Sequence, residues 1–313
     1  MIVVKLTGGL GNQMFQYAMG RALAERTQSK LKLDLSNYGG QGETRPQGLE
    51  QFVRPVGIFK WNVSAEVATE AEIDALRDDY WRATTRDRIV RRLRRFYPGL
   101  LWPRTHFRES SHRFDAKVAT LAAPMYLDGY WQSEKYFAAI RSTLLVEFTP
   151  KDETVLAFAR GYVEKLRAEQ EGPLVSLHVR RGDLAHAAET LGKVGLVYGP
   201  PVGLDYVHAA IAEFPPPSRF LVFSDSAKDV QWCRENIRSD RLSFSEGHTD
   251  LEDLMLMSQC DHHIIANSTF SWWAAWLDQK PFKRVIAPRQ WSSPGGAYDF
   301  PTDDLIPAGW VKL

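Results

Sequence analysis

Short apolar runs alternate with longer stretches of helical spacing along most of this chain. Ile2–Thr7 is a run of the first kind and predicts a strand, and Gly8-Gly9-Leu10-Gly11 predicts a tight loop after it. From about Asn12 to Arg26, the residues Met14, Phe15, Ala18, Met19, Ala22 and Leu23 recur at helical spacing, which predicts a helix with one apolar stripe. Lys30–Leu35 then alternates, with Leu31, Leu33 and Leu35 on one face. This β-loop-α-β unit opens an α/β domain. Further on, Gly39–Gly57 reads as a long loop, Ser64–Arg77 as a capped helix and Met125–Asp128 as a strand. Thr149-Pro150 marks a break, which divides the chain into residues 1–150 and 151–313.

The second part has a clearer rhythm. A helix at about Lys151–Gln170 precedes a strand, Leu174–Val179, whose start is punctuated by Pro173. Asp205–Glu213 reads as helix, Phe220–Phe223 as strand, and a helix follows to about Ile237. Leu242–Phe244 is a short strand and Thr249–Cys260 a helix with acidic residues in its first turns, which suits the positive end of the helix dipole. His262–Ala266 is a strand, Asn267-Ser268-Thr269 opens a helix to Leu277, and Arg284–Ala287 is the next strand. Strands alternating with helices imply a parallel, doubly wound sheet.

Composition narrows the classes without choosing among them. The 313 residues are 44% hydrophobic and 25% charged, as in an ordinary globular protein. A net charge of +1 gives no basis for a nucleic-acid partner. Two cysteines, Cys233 and Cys260, build no disulfide framework, so a reducing, cytoplasmic setting is expected. The apolar start Met1–Leu6 is too short for a signal peptide, and no window reaches membrane-span length. Asn62 and Asn267 head Asn-x-Ser/Thr matches that are not glycosylation signals without secretion. Arg82–Arg95 is strongly basic with Ile89, Val90 and Leu93 interleaved. Such a helix is either a solvated face or a peripheral contact with an anionic inner-membrane surface.

Candidate chemistry gathers at three predicted strand ends: Arg180-Arg181-Gly182-Asp183, Ser224-Asp225-Ser226 and Asn267-Ser268-Thr269. In a parallel sheet all three emerge on one edge, where open α/β folds bind ligands. Two guanidiniums offer forked donors that match a diphosphate, and Asp183 is placed to pin one of them. Asn267-Ser268-Thr269 is a good N-cap series and so a ready anion site. Plain helix capping explains any one of these alone. Paired arginines among three sites on one edge favour a nucleotide diphosphate. In the first part, the Gly8–Gly11 loop and the Asn12 and Gln13 amides donate and accept, which suits sugar hydroxyls. The cluster Gly129–Phe137 mixes aromatics with an amide and a carboxylate; it either lines a sugar-binding cleft or caps the next helix. No Asp-x-Asp element closes a strand, and no His/Cys cluster has metal spacing, so arginine and helix ends are expected to neutralise a leaving diphosphate. The P-loop and Gly-x-Ser-x-Gly patterns are missing, which argues against an NTPase or an esterase.

Gly8-Gly9-Leu10-Gly11-Asn12-Gln13-Met14-Phe15-Gln16-Tyr17-Ala18 resembles the N-terminal signature of the alpha-1,2-fucosyltransferases. His178-Val179-Arg180-Arg181-Gly182-Asp183 resembles their central motif, and Phe223-Ser224-Asp225-Ser226 and Ala266–Trp273 resemble two more. Gly129-Tyr130-Trp131-Gln132-Ser133 is similar to a further family element. The resemblance implies a GT-B-type glycosyltransferase with two Rossmann-like domains facing a cleft, residues 1–150 holding the acceptor and 151–313 the GDP-fucose. It implies inverting, metal-independent transfer of L-fucose to the 2-hydroxyl of a galactose-terminated acceptor, with no cofactor beyond the donor. By similarity to related fucosyltransferases, Arg180 would hold the β-phosphate, His178 and Asp253 would face guanine and ribose, and Ser268 and Thr269 would meet the diphosphate. Gly9, Gly11, Gln13, Arg181, Asp225, Ser226, Asn267 and Phe270 complete the expected nucleotide-sugar site. Asn12 would lie near the reacting centre, and Trp131, Gln132 and Glu134 would meet the acceptor. Asp183, Asp128, Glu134 and Glu189 stand as candidates for a general base. Leu184–Gly203 departs from the family pattern and leaves acceptor identity open. A sugar-nucleotide or glycan-binding module without catalysis is the alternative reading.

Overall fold

The computed structural model describes residues 1–38, 55–77, 105–169, 171–181, 202–291 and 302–313. The expected helix at Arg82–Arg95, all of the stretch Leu184–Gly203 but its last two residues, and Asp183 and Glu189 lie outside the described residues. The chain forms two compact units, one of Met1–Ile58 with Val63–Leu144, the other of Phe59–Asn62 with Leu145–Leu313. A single cut at 150 therefore misses a short excursion: Trp61, fully buried, packs edge-on against Phe148 at 5.9 Å and so draws 59–62 into the second unit.

The first unit holds β1 (Ile2–Lys5), α1 (Leu10–Arg26), β2 (Leu31–Asp34), β3 (Glu66–Val67), α2 (Glu70–Leu76), β4 (His106–Arg108) and β5 (Met125–Asp128). Its parallel sheet runs β3-β2-β1-β5-β4. The helix expected from Ser64 starts later. Glu66 and Val67 pair with Lys32 and Leu33 as an edge strand, and the helix begins after Thr69, which forms a capping box with Glu72. Lys32 holds both pieces, at 3.3 Å from Glu66 and 2.6 Å from Glu72. The single apolar stripe expected of α1 is also corrected. Its first turns are buried on nearly every side, Gln13 and Gln16 included.

α3 (Arg141–Glu147) leads into the second unit. There α4 (Glu153–Glu169), β6 (Leu174–Val179), α5 (Leu204–Ala212), β7 (Arg219–Ser224), α6 (Ala227–Asn236) and β8 (Leu242–Phe244) follow in turn. They are succeeded by α7 (Asp250–Gln259), β9 (His262–Ile264), α8 (Thr269–Leu277), β10 (Val285–Ala287), α9 (Thr302–Leu305) and β11 (Val311–Lys312). The parallel sheet has the order β11-β10-β9-β6-β7-β8. All six residues of β6 are buried, and each fully buried Val or Leu there contributes about 1.5–3 kcal/mol. With β9 on one side and β7 on the other, the three polar strand ends become neighbours on one edge. Two parallel, Rossmann-like sheets are the architecture a GT-B fold implies. Among the described residues, no helix is long and apolar enough to cross a membrane.

Candidate functional site

In the second unit, β6 delivers His178, Arg180 and Arg181 to the sheet edge. Arg180 Nη1 donates to the Asn267 carbonyl at 3.2 Å, which seats its guanidinium beside the start of α8. Ser268 caps that helix, its hydroxyl accepting from the Phe270 N–H, and Thr269 and Phe270 form the half-buried first turn. A guanidinium next to the positive end of a nine-residue helix is a place for an anion. Asn267 is buried and donates through Nδ2 to the Trp291 carbonyl at 3.2 Å, so its amide fixes the loop.

His178 is buried, with Nδ1 at 2.9 Å from Ser271 Oγ. The Ser271 hydroxyl proton is directed at the Ser268 carbonyl, 3.3 Å away. Ser271 must then accept from Nδ1–H, and His178 Nε2 is left as an acceptor; the tautomer follows from this hydrogen-bond logic. Burial pushes the imidazole down to about 4, aided by Arg180 and opposed by Asp225, so the ring is neutral at physiological pH.

Arg181 does something else. Its guanidinium carbon lies 3.5 Å from the Trp232 ring centroid, its Nε is 3.7 Å from Asp229, and its backbone N–H donates to Asp225 at 2.8 Å. The pinning acids thus come from the end of β7 and the start of α6. Ser226 is an exposed N-cap, bonded to Asp229. Asp253 stands on α7 and accepts from Ser245 Oγ at 2.7 Å; burial raises its carboxyl above the usual range. It therefore sits at the end of β8, which is two strands from β6.

The first unit gathers a second polar group. Gly8, at φ +78°, turns the chain into α1, whose N-cap is Gly9. A Cβ on Gly8 would lie 2.5 Å from Asn12 Nδ2, so only glycine lets that amide sit there. Asn12 Oδ1 accepts from Gln132 Nε2 at 2.9 Å, which joins two of the expected site residues. Gln13 departs from expectation. It is fully buried; Nε2 donates to the Gly8 and Pro55 carbonyls, and Oε1 accepts from Gly57 N and Ile58 N. All its hydrogen-bonding capacity is spent on the fold, so it shapes the loop and does not reach a ligand. Gly11 is buried and Gly9 half-buried.

Trp131 is likewise no exposed stacking platform. It is wholly buried at φ +57°, stacked on Phe107 at 6.0 Å and edge-on to Tyr136 at 5.5 Å. Glu134 opens a short 3₁₀ turn and is half-buried. Asp128 faces Arg108 at 3.0 Å and Lys5 at 3.7 Å, so its carboxylate is engaged within the sheet. Among the described residues, no three His, Cys, Asp or Glu side chains gather as a metal-holding group.

Sequence reasoning missed several participants. Ser271 is legible only once α8 places it under His178. Trp232 shows itself only when α6, packed against β7, brings it over Arg181. Tyr38, which donates to the Gly8 carbonyl at 2.6 Å, and Gln16, which joins Thr7 N to the Gly129 carbonyl, act across sequence gaps. Glu109 follows β4, a three-residue strand too short to carry a periodic signal.

The glycosyl transferase family 11 model matches residues 102–311. An Escherichia coli alpha-1,2-colitosyltransferase is 31% identical over 318 residues, spanning 100% of this chain and 98% of the relative. The Escherichia coli O-antigen biosynthesis glycosyltransferase WbnK is 28% identical over 91% of this chain and 93% of its own. The Oryctolagus cuniculus galactoside alpha-(1,2)-fucosyltransferase 2 is 32% identical over 48% of this chain and 43% of its own length. Among solved structures, fucosyltransferase NodZ from Bradyrhizobium matches with 14% identity and a TM-score of 0.43, covering 87% of this chain and 91% of NodZ. Arabidopsis thaliana FUT1 in complex with GDP matches with 14% identity and a TM-score of 0.48, covering 97% and 76%. The family match takes in the strand-end arginines and the α8 start, and the full-length match adds the Gly8–Asn12 loop; on these the chain belongs to glycosyl transferase family 11, the alpha-1,2-fucosyltransferase family.

Proposed function

We propose that this glycosyltransferase moves L-fucose from GDP-fucose to the 2-hydroxyl of a galactose-terminated acceptor, with inversion and without a metal. The observation that carries the reading is the 3.2 Å bond from Arg180 to the Asn267 carbonyl, which sets a fixed cation against the start of α8. As the glycosidic bond breaks, negative charge grows on the GDP β-phosphate. A guanidinium and a helix N-terminus already in place stabilise that charge with no reorganisation. His178 Nε2, an acceptor, suits a ribose hydroxyl or a guanine N–H. Asp253 suits guanine because N1–H and N2–H present two donors together.

On the acceptor side, Asn12 and Gln132 form an amide pair. Gln132 is buried and its Oε1 takes no hydrogen bond among the described residues, so it can receive one from a sugar hydroxyl. The acceptor 2-hydroxyl attacks the anomeric carbon from the face opposite GDP; the new C–O bond forms as the C–O bond to phosphate breaks. Its proton passes to a base, for which Asp183, Glu189 and Glu134 remain candidates, or to the departing diphosphate.

A second reading concerns the donor. A full-length relative is named for colitose, the 3-deoxy counterpart of fucose. The test incubates the purified protein with GDP-fucose or GDP-colitose, with lactose, in the presence and absence of EDTA. Release of GDP with a fucosylated trisaccharide, unchanged by EDTA, is the expected result. Transfer from GDP-colitose alone reassigns the donor. Donor binding without transfer supports a non-catalytic module, and rescue by manganese after EDTA overturns the metal-independent step.

A further inference from the structure

Glu109 follows β4 at the edge of the first unit's sheet, and its carboxylate is turned inward. Oε2 accepts from the Tyr130 N–H at 2.6 Å, and the Trp131 N–H lies 3.2 Å from Oε1 and 3.3 Å from Oε2. Two successive backbone donors thus share one carboxylate. The segment they belong to is strained: Trp131 is a non-glycine residue in the left-handed region, a conformation that persists only where surroundings impose it. Gly129 leaves room for the clamp. A Cβ there would lie 2.5 Å from Glu109 Cβ and 2.8 Å from Oε2. The next residue, Gln132, donates to Asn12 Oδ1 at 2.9 Å. Gln16 supports the same turn from α1 by donating to the Gly129 carbonyl at 3.2 Å.

We propose that Glu109 is a positioning residue: its carboxylate clamps the Tyr130–Trp131 turn and through Gln132 sets the side-chain amide of Asn12. The catalytic part of this rests on the reading that Asn12 meets the reacting sugars. An ionised carboxylate is the stronger acceptor, because charge-assisted hydrogen bonds are roughly twice as strong as neutral ones. Burial, and then the nearby Asp128, hold Glu109 up at about 7 against the pull of the two N–H groups. The charged and titratable groups around it are Asp128 on β5, which faces Lys5 of β1 and Arg108 of β4, together with the Tyr130 phenol and His112. Burial lowers His112 to about 4, so it stays neutral where Glu109 titrates. As pH falls through about 7, Glu109 takes a proton, the clamp weakens, and turnover should fall with it.

The experiment compares wild type, Glu109→Gln, Glu109→Asp, Asn12→Ala and the Asn12→Ala/Glu109→Gln double variant. Backbone amide exchange of segment 129–133 is followed in each from about pH 6 to about pH 8.5, beside GDP release from GDP-fucose with lactose. Expected is lower protection, measured against the intrinsic exchange rate at each pH, at Tyr130 and Trp131 in Glu109→Gln, and in wild type on acidification. A kcat lower by about tenfold with KM for the donor little changed is expected too, since small misplacements of a positioned group cost that much or more. The acid limb near pH 7 should vanish in Glu109→Gln and partly return in Glu109→Asp. If Glu109 acts through Asn12, the double variant is no slower than Asn12→Ala. Unchanged protection in Glu109→Gln, or in wild type across that pH range should the variant not fold, overturns the clamp whatever the substrate. Full turnover by Asn12→Ala removes the role of Asn12 itself. A slow Asn12→Ala beside a wild-type-like Glu109→Gln, or additive losses in the double variant, overturns the positioning role alone.

Discussion

Arg181 lies over the Trp232 ring, with its guanidinium carbon 3.5 Å from the ring centroid, while the adjacent Arg180 reaches to the Asn267 carbonyl. Two neighbouring residues of one type therefore hold different jobs. Strand alternation sends successive side chains to opposite faces, so the pair separates at the end of β6. Arg181 completes a packed corner of β6, β7 and α6, and Arg180 is the cation beside the α8 start.

Arg180→Ala should cut transfer about a hundredfold or more, the usual cost of losing a donor aimed at developing charge, with little change in melting temperature. Arg181→Ala should do the reverse in emphasis. A desolvated cation–π contact is worth about 2 kcal/mol, so the melting temperature drops measurably. Arg181→Lys should recover only part of it, because an ammonium lacks the planar face. Calorimetry beside GDP release separates the two; equal effects of both alanine variants on turnover would show that both arginines meet the donor.

The distinction between these arginines was not legible in the sequence, whereas much else was. Strand-helix alternation from Leu174 onward reads directly as a parallel sheet, because buried β6 and β7 are nearly continuous apolar runs. The three strand ends fall together for the same reason. What stayed hidden depends on contacts across sequence. Gln13 looks like a ligand amide beside glycines until Gly57 and Ile58 are seen to fold back onto it. Trp131 looks like a sugar platform until its positive φ turns it inward. β3, β4 and β11 are two or three residues long, too short for any period to show.

Gln13→Ala follows from that correction. Removing the amide strands the buried Gly57 and Ile58 N–H groups, while the Gly8 carbonyl keeps its bond from Tyr38 and the exposed Pro55 carbonyl turns to water. Each unsatisfied group costs about 1–3 kcal/mol, and part is regained if water enters, so a loss of about 3 kcal/mol is expected. Urea denaturation measures it. Donor KM at a temperature where the variant remains folded should stay within about twofold of wild type, as uniform binding is untouched. A large rise in donor KM would return Gln13 to the ligand.

His178 gives a pH dependence with a definite sign. Its imidazole is held near 4 in the fold and lies near 6.5 in the unfolded chain. Between these values the unfolded state binds the proton and the native state refuses it, so stability falls as pH drops from about 6.5 towards 4. At pH 5 the loss from this residue is about 2 kcal/mol relative to pH 7. Glu109, raised to about 7, works in the opposite direction, because its native form takes the proton first. Comparing His178→Gln with wild type at both pH values isolates the histidine. The variant should lose less stability on acidification; an identical loss would mean that His178 is already protonated or solvated in the native state.

Two serines of similar local role complete the comparison. Ser226 caps α6 and Ser268 caps α8, each hydroxyl accepting from a backbone N–H of the first turn. Either alanine substitution should cost about 1 kcal/mol of stability, the ordinary worth of an N-cap. Their effects on the donor should differ. Ser226 is exposed and already engaged with Asp229, at the corner where Arg181 is neutralised by acids. Ser268 is buried beside Asn267, whose carbonyl holds Arg180, and its own carbonyl accepts from the hydroxyl of Ser271, which holds His178. Loosening that turn moves both groups at once. Ser268→Ala should therefore weaken GDP binding by about tenfold, a coupling of roughly 1.4 kcal/mol, while Ser226→Ala leaves it within about twofold. Titration calorimetry with GDP reads this directly. Equal weakening by both would place the diphosphate across two helix starts, with Asp225 and Ser226 restored to its binding site.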